Sequence, residues 1–399
     1  MTESPFSTGP IPLLTGGLSE SVRRLCVLSN AELATHDIAE LNLLVAQGLP
    51  GAERLDVGAC IEKLNKWASL VRLNTDHWWP NFMRSPEKFE RSPGKYRMLC
   101  LVTVLRRHLG VHYHLPFNDG EYDGTDSRNL FLHGILSGHG GTCVTLPVLY
   151  AAIGRRLGYP LKISHAKEHS FVRWEEPGGE RFNIEATSDG FCTYDDAYYR
   201  TRPLPLTDRE IANGYYLRSL TPREELATLL ANRGTCLTEH LLTYPALEAL
   251  YFADPLCPDS PTHRGQWATA TTLWKMIEHA AKSLSTTHAE IVAVLRLKAY
   301  RNELDYNNLP YLPNNPANEG ERWALAGAPD YLRRVLDNYV RKWRQGLVPP
   351  ITMDYGPKKK PPQGNAHDQI FAAIGVANRN THQPFVFVRK GLQPCTTRP

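Results

Sequence analysis

Two stretches of this chain carry residues whose types and spacing could do covalent chemistry. The first, "SGHGGTCVTLPVLYAAIGRRLG" (137–158), sets Cys143 at a glycine-rich turn entering a helix. A thiolate is a nucleophile, and the N–H groups at a helix start lower a thiol's pKa from its usual value of about 8.5. The same N–H groups can stabilise the oxyanion of an acyl intermediate. Gly138, Gly140 and Gly141 would let a substrate backbone approach without Cβ clashes. Pro147 has no N–H to give to the Cys143 carbonyl, so the first helical turn is expected to be irregular. His139 and His133, in the preceding loop, are candidates for a second oxyanion donor.

The second stretch, "HAKEHSFVRW" (165–174), supports two chemistries. His165-x-x-Glu168-His169 fits an inverted zinc-peptidase signature, with two histidines on the metal and the glutamate as base. That arrangement needs a helix to put both histidines on one face, yet "LKIS" before and "SFVRW" after are strand-like. The alternative makes His165 an ordinary strand-end residue and His169, opening a strand, the base that serves Cys143. A third group must then orient the imidazole. "EEPGGE" between "HSFVRW" and "RFNIEAT" is a hairpin turn. A three-residue loop Pro177-Gly178-Gly179 pairs Glu176 with Glu180, and hence Phe171 with Glu185. His169, Asn183 and Glu185 then share one face, whereas a two-residue loop would send Glu185 to the other. Glu185 is the expected third member and Asn183 the reserve.

The elements that must position these residues are well punctuated. Asp56 caps a helix carrying Ile61, Leu64, Trp67 and Val71; Ser92, Pro93 and Gly110 bracket another. The helix behind Cys143 buries Leu146, Leu149, Tyr150, Ile153 and Leu157 and stops at Gly158. Strands are expected in "YPLKISH", "HSFVRW" and "RFNIEAT". Thr221 and Glu224 form a capping box for a helix predicted to end at Gly234, and 330–347 reads as an amphipathic helix before a Pro/Lys linker. Asp119, Glu121, Asp123 and Gly124 partly imitate a calcium loop, but Leu130 stands where a bidentate glutamate belongs, so an acidic surface loop is expected.

The order of parts resembles the transglutaminase-like superfamily: glycine-rich turn, cysteine at a helix start, "RRLGYP" closing that helix, a histidine opening a strand, then "FNIEAT". The resemblance covers roughly 130–190 and implies a papain-like α+β core with a Cys-His-acid triad. Carried over, Cys143 is similar to the nucleophile, His169 to the base and Glu185 to the third member, where the family usually shows Asp. The flanking helices look like a bacterial branch that joins this core to tetratricopeptide-like helices, although no second copy at a 34-residue period is found. The expected organisation is a flexible arm at 1–30, helical regions at 31–116 and 205–302, the core at 117–204, and a helix, linker and tail at 303–399.

At 399 residues, 42% hydrophobic, with a formal charge of +4, the chain has ample core and no charge-based case for nucleic acid or membrane. With no secretory signal at the start and no long apolar run, a cytoplasmic location is expected, with the eight dispersed cysteines reduced. No cofactor or metal is expected. The function implied is cysteine-dependent acyl transfer on a peptide or protein amide, by hydrolysis or amine transfer. A non-catalytic scaffold that binds partner peptides through its helical region is the alternative, and a zinc peptidase the third.

Overall fold

The computed structural model describes residues 17–52, 55–114, 124, 126–240, 242–283, 287, 288 and 292. The calcium-like Asp119, Glu121 and Asp123, residues 284–286 and 289–291 of the helical region expected at 205–302, and everything from 293 onward, including 330–347, lie outside the described residues. Of the arm expected at 1–30, residues 1–16 also lie outside them. Residues 20–25 form helix α1 (Glu20–Leu25), with Val22 and Leu25 buried, so this part is packed rather than loose.

The architecture is α+β. Helices α2 (Asn30–Leu33), α3 (Ile38–Ala46), α4 (Val57–Arg84) and α5 (Pro93–Thr103) precede the core. The side chain of Asp56 accepts from the Ala59 N–H, and that of Ser92 from the Lys95 N–H, with Pro93 in the first turn. Beyond α5 the chain widens into one π-helical turn, Val104–His108, before Gly110 (φ 69°) ends it. Short α6 (Leu132–Leu136) leads to α7 (Thr145–Arg156), buried along Thr145–Gly154 and packed on α4 and on the sheet. That near-continuous burial is what a central helix needs, and Gly158 (φ 77°) stops it as expected.

The sheet has three antiparallel strands, β1 (Leu161–Ala166), β2 (His169–Glu175) and β3 (Arg181–Ile184), in the order β1-β2-β3. Val172 pairs with Ile184 and Arg173 with Asn183. The Glu176 N–H donates to the Glu180 carbonyl, closing the loop Pro177-Gly178-Gly179, with Gly178 left-handed at φ 70°. This is the three-residue register, and it continues to place Phe171 opposite Glu185. Helices α8 (Asp196–Thr201) and α9 (Asp208–Ala212) follow the sheet, then α10 (Pro222–Glu239), α11 (Thr243–Ala253) and α12 (Pro261–Ser283).

Thr221 and Glu224 cap α10 reciprocally. The expected stop at Gly234 does not occur, since α10 runs on to Glu239. A Cβ at Gly234 would lie 2.7 Å from Leu250 Cγ, so this glycine is there for close packing against α11 rather than for termination. The described residues divide into two units. One comprises Ser19–Arg233 with Phe252–Pro261; the other comprises residues up to Leu18, Gly234–Tyr251 and those from Thr262 onward. The candidate site lies wholly within the first.

Candidate active site

Cys143 sits in the turn two residues before α7. Thr142 organises that turn: its hydroxyl donates to the Asn129 carbonyl and accepts from the Val144 and Thr145 N–H groups. The Thr142 N–H donates back to the Thr145 hydroxyl at 2.9 Å. Thus a threonine, rather than a regular first turn, sets the backbone at the cysteine, and Pro147 is accommodated because Leu146 donates to the Thr142 carbonyl instead. The glycine-rich approach is pinned from the other side. Gly141 exchanges backbone hydrogen bonds with the 112–114 segment, and a Cβ on Gly140 (φ 95°) would meet the His112 ring at 2.9 Å.

His169 opens β2 and its ring is almost fully buried. Its Nε2 donates to Glu185 Oε2 at 2.8 Å. That commitment leaves Nδ1, also buried, as the nitrogen available to a thiol. Burial opposes the imidazolium, but the Glu185 carboxylate and the Cys143 side chain outweigh it and push the histidine up to about 9. Cys143, His169 and Glu185 are therefore brought together.

Glu185 is fully engaged. Oε2 accepts from His169 and from the Tyr199 hydroxyl at 3.1 Å; Oε1 accepts from the Thr187 N–H at 2.9 Å and the Thr187 hydroxyl at 2.6 Å. Burial works against its charge, but His169 and the Thr187 donors hold the carboxyl down at about 2. Burial and the neighbouring Glu185 charge raise the Tyr199 hydroxyl's pKa, keeping it protonated as a donor. Its ring stacks on Phe171 at 3.9 Å and lies nearly parallel to His169 at 6.2 Å. Sequence reasoning missed Tyr199 and Thr187. A glutamate reaches one methylene further than an aspartate, and these two donors take up the extra freedom.

Asn183, the reserve, points to other work. Its Oδ1 accepts from Arg173 Nε at 2.7 Å, and its Nδ2 donates to the Tyr194 carbonyl and Asp196 Oδ1. The Nε2 atoms of His133 and His139 are likewise taken, by Ser127 and Asn129 respectively; burial pushes His133 down to about 4.

The zinc arrangement is overturned by the sheet. His165 pairs with Ser170, and His169 with Ala166, across a two-residue turn. Residues 165 and 166 project to opposite faces of β1, so the two histidines do as well and cannot chelate one ion. His165 instead bonds Ser170 and Thr228 and stacks on Tyr215. Glu168, the would-be base, occupies the turn at φ 60°. Among the described residues no group of three or more His, Cys, Asp or Glu is placed to hold a metal.

The α+β core thus sets a cysteine before its central helix beside a histidine that opens β2 and a carboxylate just past the end of β3. Residues 60–230 match the family model described as the Transglutaminase-like superfamily, so this part of the chain is similar to that superfamily. The match begins in α4, ends in α10 and contains all three residues. No curated protein and no solved structure matches the chain. None of the helices among the described residues is long and apolar enough to cross a membrane.

Proposed function

We propose that this protein is a cysteine-dependent acyl-transfer enzyme acting on an amide of a peptide or protein. The observation that carries the reading is the 2.8 Å contact of His169 Nε2 with a fully hydrogen-bonded Glu185, which leaves Nδ1 to the Cys143 side. In this mechanism His169 takes the thiol proton and Cys143 Sγ attacks the carbonyl carbon. The imidazolium then protonates the leaving amine as the tetrahedral intermediate collapses to a thioester. Water or a second amine, deprotonated by the same imidazole, releases the acyl group. Glu185 fixes the imidazole tautomer and stabilises its cationic form throughout; it accepts no proton.

The test is to trap the thioester. Brief exposure to p-nitrophenyl acetate should acetylate Cys143 ahead of the other cysteines, as read by peptide mass spectrometry, and His169→Ala should remove that selectivity. Uniform acetylation of all accessible cysteines would reject the reading.

A second reading rests on a different observation. Tyr244, Tyr251 and Trp267, on α11 and α12, are 57%, 65% and 39% exposed. Exposed aromatic side chains of this kind suit a peptide partner, and they are the feature that favours a binding role for the helical region.

A further inference from the structure

Beyond the catalytic residues, the same unit contains a cleft that acyl transfer does not use. It is about 360 Å³ in volume and is walled by α8, α9 and the 216–217 segment, with Leu206, Ile211, Leu217 and Ala197 as its apolar lining. That volume is at the lower end of what small-molecule sites occupy. Two charged residues, Asp196 and Arg200, face it. Their charges are not equivalent. Asp196 Oδ1 accepts from Arg173 Nη2 at 2.6 Å and from Asn183, and Oδ2 lies 3.6 Å from Arg181. Its negative charge is thereby neutralised by the protein itself. The guanidinium of Arg200 has no hydrogen-bond or ion-pair partner among the described residues.

The walls are also built rather than incidental. Arg173, 1% exposed, braces the floor: besides Asp196 and Asn183 it donates to the Leu217 carbonyl at 2.9 Å. Leu217 stands at φ 62°, a left-handed conformation that a leucine adopts only when the surroundings enforce it. The enforcement is visible, since the Leu217 N–H donates to the His165 carbonyl while its own carbonyl is taken by Arg173. Strained residues held in this way cluster at ligand clamps.

We propose that this cleft is a binding site for a carboxylate carried on an apolar body, with Arg200 receiving the carboxylate and Leu206, Ile211 and Leu217 the apolar part. The inference goes beyond acyl transfer and holds whether or not Cys143 is a nucleophile. A peptide could supply such a group as the C-terminus of an apolar residue or as an acidic side chain beside one.

The probes are N-acetyl-leucine, its neutral counterpart N-acetyl-leucinamide, and N-acetyl-leucyl-glutamic acid α-amide, which carries only a side-chain carboxylate. Binding to the full-length protein is read by ligand-observed NMR titration. At least one carboxylate should bind about tenfold more tightly than the neutral amide, the worth of one charge-assisted hydrogen bond. The order of the two carboxylates identifies the source. Arg200→Gln, at an exposed position, should abolish the preference without changing the thermal midpoint or the alkylation rate of Cys143. Ala197→Phe, which fills the cleft, should abolish binding of all three. Equal binding of charged and neutral probes, no binding of any probe, or a preference that survives Arg200→Gln would each overturn the assignment.

Discussion

Replacing Glu185 with glutamine should collapse the basicity of His169. The imidazole is nearly sealed from solvent, and burial alone would hold it below its ordinary value of 6.5; it reaches about 9 because the Glu185 carboxylate, chiefly, reverses that. The reversal spans two to three pH units, or roughly 3 kcal/mol of preference for the imidazolium. Glutamine keeps the size and one acceptor oxygen but removes the charge, so the burial penalty is left unopposed. The assay is NMR titration of the His169 ring protons in a Cys143→Ser background, where no thiol titrates in the same range. With Glu185 intact the midpoint should lie well above 6.5; with Glu185→Gln it should fall below 6.5. The thiolate–imidazolium to thiol–imidazole ratio of the pair would drop by about 100-fold for the same free energy. A midpoint still above 8 in the glutamine variant would refute the assignment of Glu185 as the group that sustains the charge.

Tyr199→Phe keeps the stack on Phe171 but removes one donor from Glu185, and should cost about 1.5–3 kcal/mol in thermal or urea unfolding while lowering the His169 midpoint by less than Glu185→Gln does. An unchanged His169 titration would make Tyr199 a packing residue only. Stability should also follow pH in a defined way. The raised histidine contributes stability that is complete below 6.5 and is lost as pH climbs through 9; the depressed glutamate contributes stability that is complete above 4.5 and is lost as pH falls through 2. The two shifts describe one interaction, which is therefore strongest between about pH 4.5 and 6.5. Urea unfolding across pH should show that dome in the native protein and a flattened one in Glu185→Gln.

Much of this site could be read in the sequence because strands have a period of two. Once "EEPGGE" is a three-residue loop, the faces of His169 and Glu185 follow by counting, and the Glu176–Glu180 hydrogen bond shows that register. Capping was legible for the same local reason at Asp56, Ser92 and Thr221. Apart from Thr187, a local donor two residues from Glu185, what could not be read depends on contacts distant in sequence. Tyr199 reaches Glu185 from helix α8, and the brace of Arg173, Asn183 and Asp196 links two strands to that helix. Gly234 misled because a glycine at a helix stop and a glycine under a neighbouring leucine look identical without the neighbour. The H-x-x-E-H pattern is a string match whose meaning reverses between helix and hairpin, and the hairpin separates the two histidines.

The central claim is that Cys143 and His169 form an activated pair. The most direct test alkylates the native protein with iodoacetamide from pH 5 to 9 and follows every cysteine by peptide mass spectrometry. Cys143 should react fastest near pH 6, below the range of an ordinary thiol, and should slow when His169 is replaced by alanine. A Cys143 rate that rises only toward pH 8.5, like the other thiols and indifferent to His169→Ala, would contradict the account.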